Sequence, residues 1–428
     1  MINELEQTTV IVIGGGPAGL MAAIGAARNG AQVTLLEKGN RLGRKLLISG
    51  GGRCNVTNAR GTDHIIENIP GNGRFLHSVF NQWSNEDIIA FFTELGVPLK
   101  EEDRGRMFPV TNKASTVLDA LLQELAKQKV NIVLEAIVQR VLYSEADRQF
   151  TVQMKSGGAF IAHAVVIAVG GCSVPETGST GDGYTFAQHF SHTIVDPYPT
   201  SVALVSHDPV IQGKDLQGLA IREAVLRLHD PRGKIIATEE GDVLFTHFGI
   251  SGPAALRVSQ YAVKSWMKHR KQPLLLTIDS DSHRSAQSLI DQIVAIGHAA
   301  PKKSLRTILK DVTATSLANY VIDRLQLPAD QVMAEVNKQH LVDFVAYLKA
   351  FPVHVSDTLG LTRATVTGGG VTVKEIDPRT MESRLQSGLF FAGEVMDVHA
   401  HTGGYNITVA FSTGYVAGLH AASQVYMK

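Results

Sequence analysis

Cysteine is nearly absent: Cys54 and Cys172 are the only two in 428 residues, too few for a disulfide framework or a four-cysteine zinc site. A reducing cytoplasm is the natural setting for such a chain. Net charge is absent as well, since Lys+Arg and Asp+Glu both number 40. No global field draws the chain to nucleic acid, membrane or an acidic partner, so any such surface has to be a local patch. An uninterrupted apolar run is also missing. The stretch 10–27 comes nearest, but it follows Glu4 and Glu6 rather than a basic segment, and Gly14, Gly15, Gly16 and Pro17 break it. It reads as strand, turn and helix, not as a signal peptide or membrane span. Internal repeats and low-complexity segments are lacking. What remains is an ordinary globular composition, 44% hydrophobic and 19% charged, in a chain long enough for two or three domains.

The opening alternates strand and helix. TTVIVIGG predicts a buried strand, PAGLMAAIGAARNG a helix ending at Gly30, and AQVTLLEK a second strand, together a parallel βαβ unit. SNEDIIAFFTELG offers Ser84 as N-cap, acids in the first turn and Gly96 beyond the end. A further helix is expected over 114–128, then strands near 131–143, 150–154 and 160–169. From about 196 short alternating runs such as EAVLRLHD and DVLFTHF predict an antiparallel, barrel-like unit, and 284–350 reads as mostly helical. The α/β texture returns with ATVTGGGVTV and SGLFFAGEVMD, followed by a long helix over 405–421. The fold expected is α/β: a Rossmann-like domain formed by 1–195 and 357–428, split by an inserted antiparallel β-barrel with a helical subdomain at 196–356.

GGGPAG at 14–19 places Gly14, Gly16 and Gly19 at the spacing of a dinucleotide-binding turn, with Pro17 and Ala18 opening the helix. The first glycine makes the turn, the second lets backbone approach a pyrophosphate, and the third admits close helix packing. Glu37 ends the second strand at about the distance where an acid accepts ribose hydroxyls, with Lys38 beside it. An acid there favours FAD or NAD over NADP. LFFAGEVMD, with Gly393 and Glu394, resembles the second FAD fingerprint of two-dinucleotide-fold flavoproteins. GGYNITVAFSTGYVAG, with Gly404, Asn406 and Ile407, resembles the helix that follows it and faces the flavin ring, and VVIAVGG, with Gly170, resembles a third shared element. In RKLLISGGGRCNVTN the glycines Gly50, Gly51 and Gly52 leave room for a ligand against the backbone and would bring Arg53, Cys54 and Asn55 near its pyrophosphate or ring. Arg44 and Lys45 either neutralise phosphate there or form a solvated basic face.

Together with PGNGRFL, EEDRGRMFPVTNKA, TGSTGDGY, LFTHFGISGPAAL, VTGGGV and GEVMDVHAHTGGYNIT, these segments resemble the bacterial BaiN/YhiN-type NAD(P)/FAD-dependent oxidoreductases over nearly the whole chain. The resemblance implies a split FAD domain, non-covalent FAD, a cofactor contact at Val138, and NADH or NADPH as a transient donor. It also implies one of several activities: reduction of a uridine in large-subunit ribosomal RNA to dihydrouridine, oxidation of aminoacetone, or a reductive step on bile acids. A non-catalytic FAD module that senses redox state is the third class of reading. Where the family turn often reads Gly-Gly-Lys-Ser, this chain has Cys172, so a lysine role is missing there.

Three residues are acid–base candidates. Cys54 would donate a proton if neighbouring Arg53 lowered its pKa; the other reading is a packing residue beside the cofactor. His401, with His399, flanks the flavin helix and is of a residue type able to act as acid or base near neutral pH, and His247 stands before a helix in the inserted domain. The HxH pair has no third ligand in sight, so no metal is expected. No second GxGxxG and no CxxC pair is present, and GISGP is not a nucleophile elbow. The expected partners are a small-molecule substrate or ribosomal RNA, with no membrane and no obligate protein partner. For RNA, KSWMKHRK with its interleaved Trp266 and PKKSLRTILK are the local basic candidates, each also readable as a solvated helix face.

Overall fold

The structure is a computed structural model that describes residues 6–7, 9–269 and 271–423; Glu4, Thr8 at the start of the first expected strand and Arg270 of the basic run lie outside them. The chain divides into two compact units, Met1–Tyr198 with Leu361–Lys428, and Pro199–Gly360.

The first unit is built on a five-stranded parallel sheet. Its strands are β1 (Val10–Ile13), β2 (Val33–Leu36), β3 (Asn131–Val133), β4 (Ala164–Ile167) and β5 (Leu389–Phe391), in the order β5-β4-β1-β2-β3. β1, β2, β4 and β5 are buried along their whole length, as strands covered on both faces must be, and their sequences are accordingly continuous apolar runs. Helix α1 (Pro17–Arg28) follows β1, the short α2 (Arg44–Ile48) follows β2, and α3 (Ala114–Lys127) precedes β3. The long α4 (Tyr405–Ser423) closes the unit. It crosses α1 at backbone contact: a Cβ on Gly414 would meet Ala18 O at 2.2 Å, and one on Gly418 would meet Ala22 O at 2.0 Å. Ser84 caps Asn85–Glu94 through a reciprocal capping box with Asp87, and Gly96 follows in the left-handed region.

Two expected strands are each divided between sheets. The stretch 131–143 becomes β3 and Val138–Ser144, because Glu135 adopts φ +55° and the amide of Ala136 turns back to Glu37 O. The stretch 160–169 breaks at His163, where Ala159–Ala162 ends in a separate, mixed four-stranded sheet and β4 begins; the amides of His163 and Ala164 both donate to Thr9 O. Hydrophobic pattern does not reveal such a change of sheet.

The second unit holds a seven-stranded antiparallel sheet. Phe351–Val355 pairs with Leu274–Asp279, and after Ser356 the same chain pairs as Asp357–Thr358 with Leu204–Val205. One segment thus joins both ends of the sheet, which closes it in the manner of a barrel and leaves no free edge there. Helices Ala286–Ala299, Leu305–Lys310, Thr315–Leu325 and Lys338–Lys349 accompany it, with Ser285, Ser304 and Asn337 as side-chain caps of the first, second and fourth. Trp266 is buried and its indole N–H donates to Gln272 O at 2.9 Å, so it serves the core of this unit rather than a base-stacking surface. Among the described residues no helix is long and apolar enough to cross a membrane.

Candidate functional site

The site begins where β1 turns into α1. Gly14 takes φ +105°, and a Cβ on it would lie 2.6 Å from Ala168 O; one on Gly19 would lie 1.7 Å from Gly14 O. Gly16 differs, because a Cβ there meets nothing within 4 Å. Two glycines of the motif therefore serve packing, and the third borders open space. α1 starts at Pro17 without a side-chain cap, so its first amides are available to an anionic ligand. Glu37 lies under this turn, accepting the amides of Gly15 at 2.7 Å and Gly39 at 2.6 Å. Each carboxylate oxygen retains a lone pair for a hydroxyl.

Beyond the turn, Glu394 gathers three segments. Its carboxylate receives Lys45 Nζ from α2 at 2.8 Å, Ser173 Oγ from the loop after β4 at 2.9 Å, and the amide of Thr367 at 2.7 Å. Burial alone would raise this carboxyl; the Lys45 ammonium and the hydrogen bonds outweigh it and hold it below the usual carboxylate range. Lys45 is therefore an ion-pair partner rather than a free solvated cation. Lys38 reaches across to Thr180 and, at 2.6 Å, to Asp182. Gly170 takes φ +76° against Ser179, Gly393 packs on Ala18, and Val138 is half-buried at the start of its strand.

In the glycine loop, Gly50, Gly51 and Gly52 adopt φ of +56°, +68° and +85° in succession, a path that side chains resist. A Cβ on Gly51 would meet nothing within 4 Å, so this loop also borders open space. Arg53 does not turn toward it. Its guanidinium pairs with Glu102, donates to Asn112 Oδ1 at 2.7 Å and lies 4.1 Å from the Phe108 ring centroid. The expectation that Arg53 lowers the Cys54 pKa is thereby corrected: burial pushes the thiol up to about 12, opposed only by a hydrogen bond with Ser49. Cys54 is wholly buried in the core. A side chain without accessible surface has none to offer a ligand, so the geometry of Cys54 is that of a packing residue.

The first turn of α4 carries the rest. Gly404 follows Gly403, and a Cβ on Gly404 would meet Thr57 O at 2.6 Å. Asn406 stitches the preceding loop together, accepting the Ala400 amide at 3.0 Å and donating to Ala400 O at 2.9 Å. Ile407 is half-buried beside it. His399 is buried, its ring pressed against Gly71 and edge-on to Tyr198 at 5.7 Å. His401 is likewise buried, and its amide donates to Asn68 O. His247 is exposed in the second unit, in the turn before Gly249–Ser251. Sequence reasoning missed Ser173 and Thr367, because a hydroxyl 221 positions from the carboxylate it serves, or a backbone amide 27 positions from it, leaves no local signal.

These residues suit FAD. The open space at Gly16 and Gly51, the uncapped α1 and the Glu37 carboxylate form a cradle for a dinucleotide. The buried Asn55 Oδ1 has no hydrogen-bond partner among the described residues, as expected of a group awaiting a ligand donor.

Comparison with known proteins agrees. The HI0933-like protein Rossmann domain matches residues 8–420. The ribosomal RNA dihydrouridine synthase of Haemophilus influenzae is 32% identical over 420 residues, 97% of this chain and 98% of that protein. The enzyme of the same name from Escherichia coli is 31% identical over 96% of this chain and 97% of its own. The 3-dehydro-bile acid delta(4,6)-reductase of Clostridium scindens is 30% identical, covering 96% of this chain and 98% of that protein. Among solved structures, 3-ketosteroid delta1-dehydrogenase from Sterolibacterium denitrificans shares the fold, with a TM-score of 0.53 at 13% identity over 98% of this chain and 100% of that one. The chain belongs to the HI0933-like Rossmann family and is an FAD-dependent oxidoreductase.

Proposed function

We propose that this enzyme reduces a uridine of large-subunit ribosomal RNA to dihydrouridine, with NADH or NADPH as the donor. The observation that carries the reading is the end-to-end similarity to two proteins named ribosomal RNA dihydrouridine synthase. A second reading, reduction of an unsaturated ketone on a steroid-like ring, is favoured by the similarity to the bile acid reductase. The two readings share their chemistry: a C=C bond conjugated to a carbonyl takes a hydride at one carbon and a proton at the other.

FAD supplies the hydride when bound. The chain's own part is to hold and to polarise. Gly16 and the first α1 amides would receive the diphosphate in the turn that Gly14 and Gly19 pack, and Glu37 would receive the ribose hydroxyls. Lys45 and Glu394 lock α2 to the turn after β5 beside it. The positive N-terminal end of α4 favours negative charge in its first turn. Of the acid–base candidates, Cys54 is withdrawn by its burial, and His401 is nearly as enclosed. His247 keeps an exposed imidazole, and an acid role for it remains part of this proposal. A cytoplasmic location is part of it too, in keeping with two free cysteines.

The test is incubation of the holoenzyme with NADH or NADPH and unmodified large-subunit RNA, read by mass spectrometry of the nucleosides. A uridine heavier by two hydrogens is expected; unchanged RNA together with saturation of a steroid enone would select the second reading.

A further inference from the structure

We propose that Asn55 reads the imide edge of the flavin ring, acting together with the N-terminus of α4. The proposal rests on the FAD assignment and names a residue for it. Asn55 is only 8% exposed, and its Oδ1 lacks a hydrogen-bond partner among the described residues. A buried carboxamide oxygen left in this state loses its water without replacement, which a fold tolerates where a ligand completes the bond.

The place of that oxygen beside a helix N-terminus narrows the chemistry of the ligand. A Cβ placed on Gly404 would meet Asn55 Oδ1 at 3.0 Å, so the carboxamide lies against the start of α4. The backbone nitrogen of Asn55 lies against the glycine loop, 2.8 Å from where a Cβ on Gly50 would stand, so Asn55 joins that loop to the helix. The placement is rigid, because Thr57 Oγ1 and Thr408 Oγ1 lie 2.7 Å apart and tie the loop to the first turn of the helix. α4 is 19 residues long, with outward amides and a positive end at Tyr405.

A bare helix N-terminus attracts any anion. An acceptor oxygen beside it repels phosphate and carboxylate but welcomes an N–H. The group that satisfies both is one with a carbonyl next to an N–H, and that is the imide edge: the helix amides donate to a carbonyl while Asn55 Oδ1 accepts from the N–H. Adenine has no such edge. Flavin does, at N3 with its flanking carbonyls, and so does uracil, so the experiment has to separate cofactor from substrate.

The apo chain is titrated with FAD and with 3-methyl-FAD, in which N3 carries no hydrogen, and binding is followed by flavin fluorescence. The wild type is expected to bind FAD about tenfold more tightly, the size of one lost hydrogen bond to a buried acceptor, and Asn55→Ala to bind both alike. Equal affinities in the wild type, or undiminished discrimination in Asn55→Ala, overturn the proposal; the wild-type comparison decides alone should the variant not fold. Failure to bind either flavin overturns the cofactor assignment together with the proposal. A parallel titration of the holoenzyme with uridine and 3-methyluridine assigns the edge to substrate, and overturns the proposal, if discrimination at N3 appears there and not for FAD.

Discussion

Lys45 Nζ stands 2.8 Å from Glu394 Oε2, joining residues 349 positions apart in the chain. Both side chains are about three-quarters covered, so the pair is only weakly screened. Lys45→Met should leave the carboxylate with Ser173 and the Thr367 amide but without its counter-charge. The loss expected is about 2 kcal/mol in urea unfolding of the apo chain, typical of a hydrogen bond to a charged group. Glu394→Gln in the same background should recover part of it, giving a coupling energy above about 1 kcal/mol in a double-mutant cycle. Additive effects would show that the pair does not act as a unit.

The two glycines Gly16 and Gly19 should answer differently to the same methyl group. Gly19→Ala drives a Cβ to 1.7 Å from Gly14 O, so loss of about 3 kcal/mol or more and poor recovery of folded protein are expected. Gly16 has φ −81° and ψ −176°, open to any residue, and nothing within 4 Å of the new carbon. Gly16→Ala should therefore melt within a few degrees of the wild type yet bind FAD at least about tenfold more weakly, because the methyl occupies the space a pyrophosphate needs. Unchanged FAD affinity in Gly16→Ala would remove the cradle from the account.

Cys54→Ala should retain FAD and turnover, with about 1 kcal/mol of stability lost to a small cavity. A thiol reagent should label Cys172 alone in the folded chain, Cys172 being half-buried and Cys54 wholly so, and both after denaturation. Rapid labelling of Cys54 in the native protein would return it to the list of acid candidates.

His192 links acid to stability. Its Nδ1 is 3.1 Å from Glu375 Oε2 and its Nε2 2.7 Å from Ser383 Oγ. Ser383 Oγ already accepts the amides of Leu385 and Gln386, so its proton goes to the ring, and the fold holds the neutral form. Burial lowers the His192 pKa, and Glu375 offsets this only in part. An unfolded histidine titrates near 6.5. With the folded value lower, the unfolded chain binds more protons below that pH, so the contribution is complete above about 6.5 and is lost as pH falls through the folded value. Urea midpoints of wild type and His192→Gln, compared between about pH 7 and pH 5, should show the wild type losing more. An equal loss in both would assign the acid sensitivity elsewhere.

Legibility followed distance along the chain. The βαβ opening, the Ser84 cap and the GxGxxG turn were readable because each is decided within about one turn or strand of neighbours. The expected strands at 131–143 and 160–169 were right in type and wrong in extent, since a chain that changes sheet at Glu135 or His163 keeps the same apolar pattern on both sides. Arg53 shows the harder limit. Its position beside three glycines pointed to a phosphate, but Glu102 and Phe108 hold it from strands that only the fold brings near. Trp266 is similar: among lysines it looked like a surface ring, yet the other face of its helix is core.

The central claim is that this chain takes hydride from a nicotinamide and passes it on through FAD. Anaerobic stopped-flow mixing of the holoenzyme with NADH, NADPH and aminoacetone in separate runs, followed by addition of unmodified large-subunit RNA, tests it most directly. The account predicts rapid loss of the oxidised-flavin band with a nicotinamide and its return on adding the RNA. Bleaching by the amine alone, or a reduced flavin that RNA never reoxidises, would contradict it.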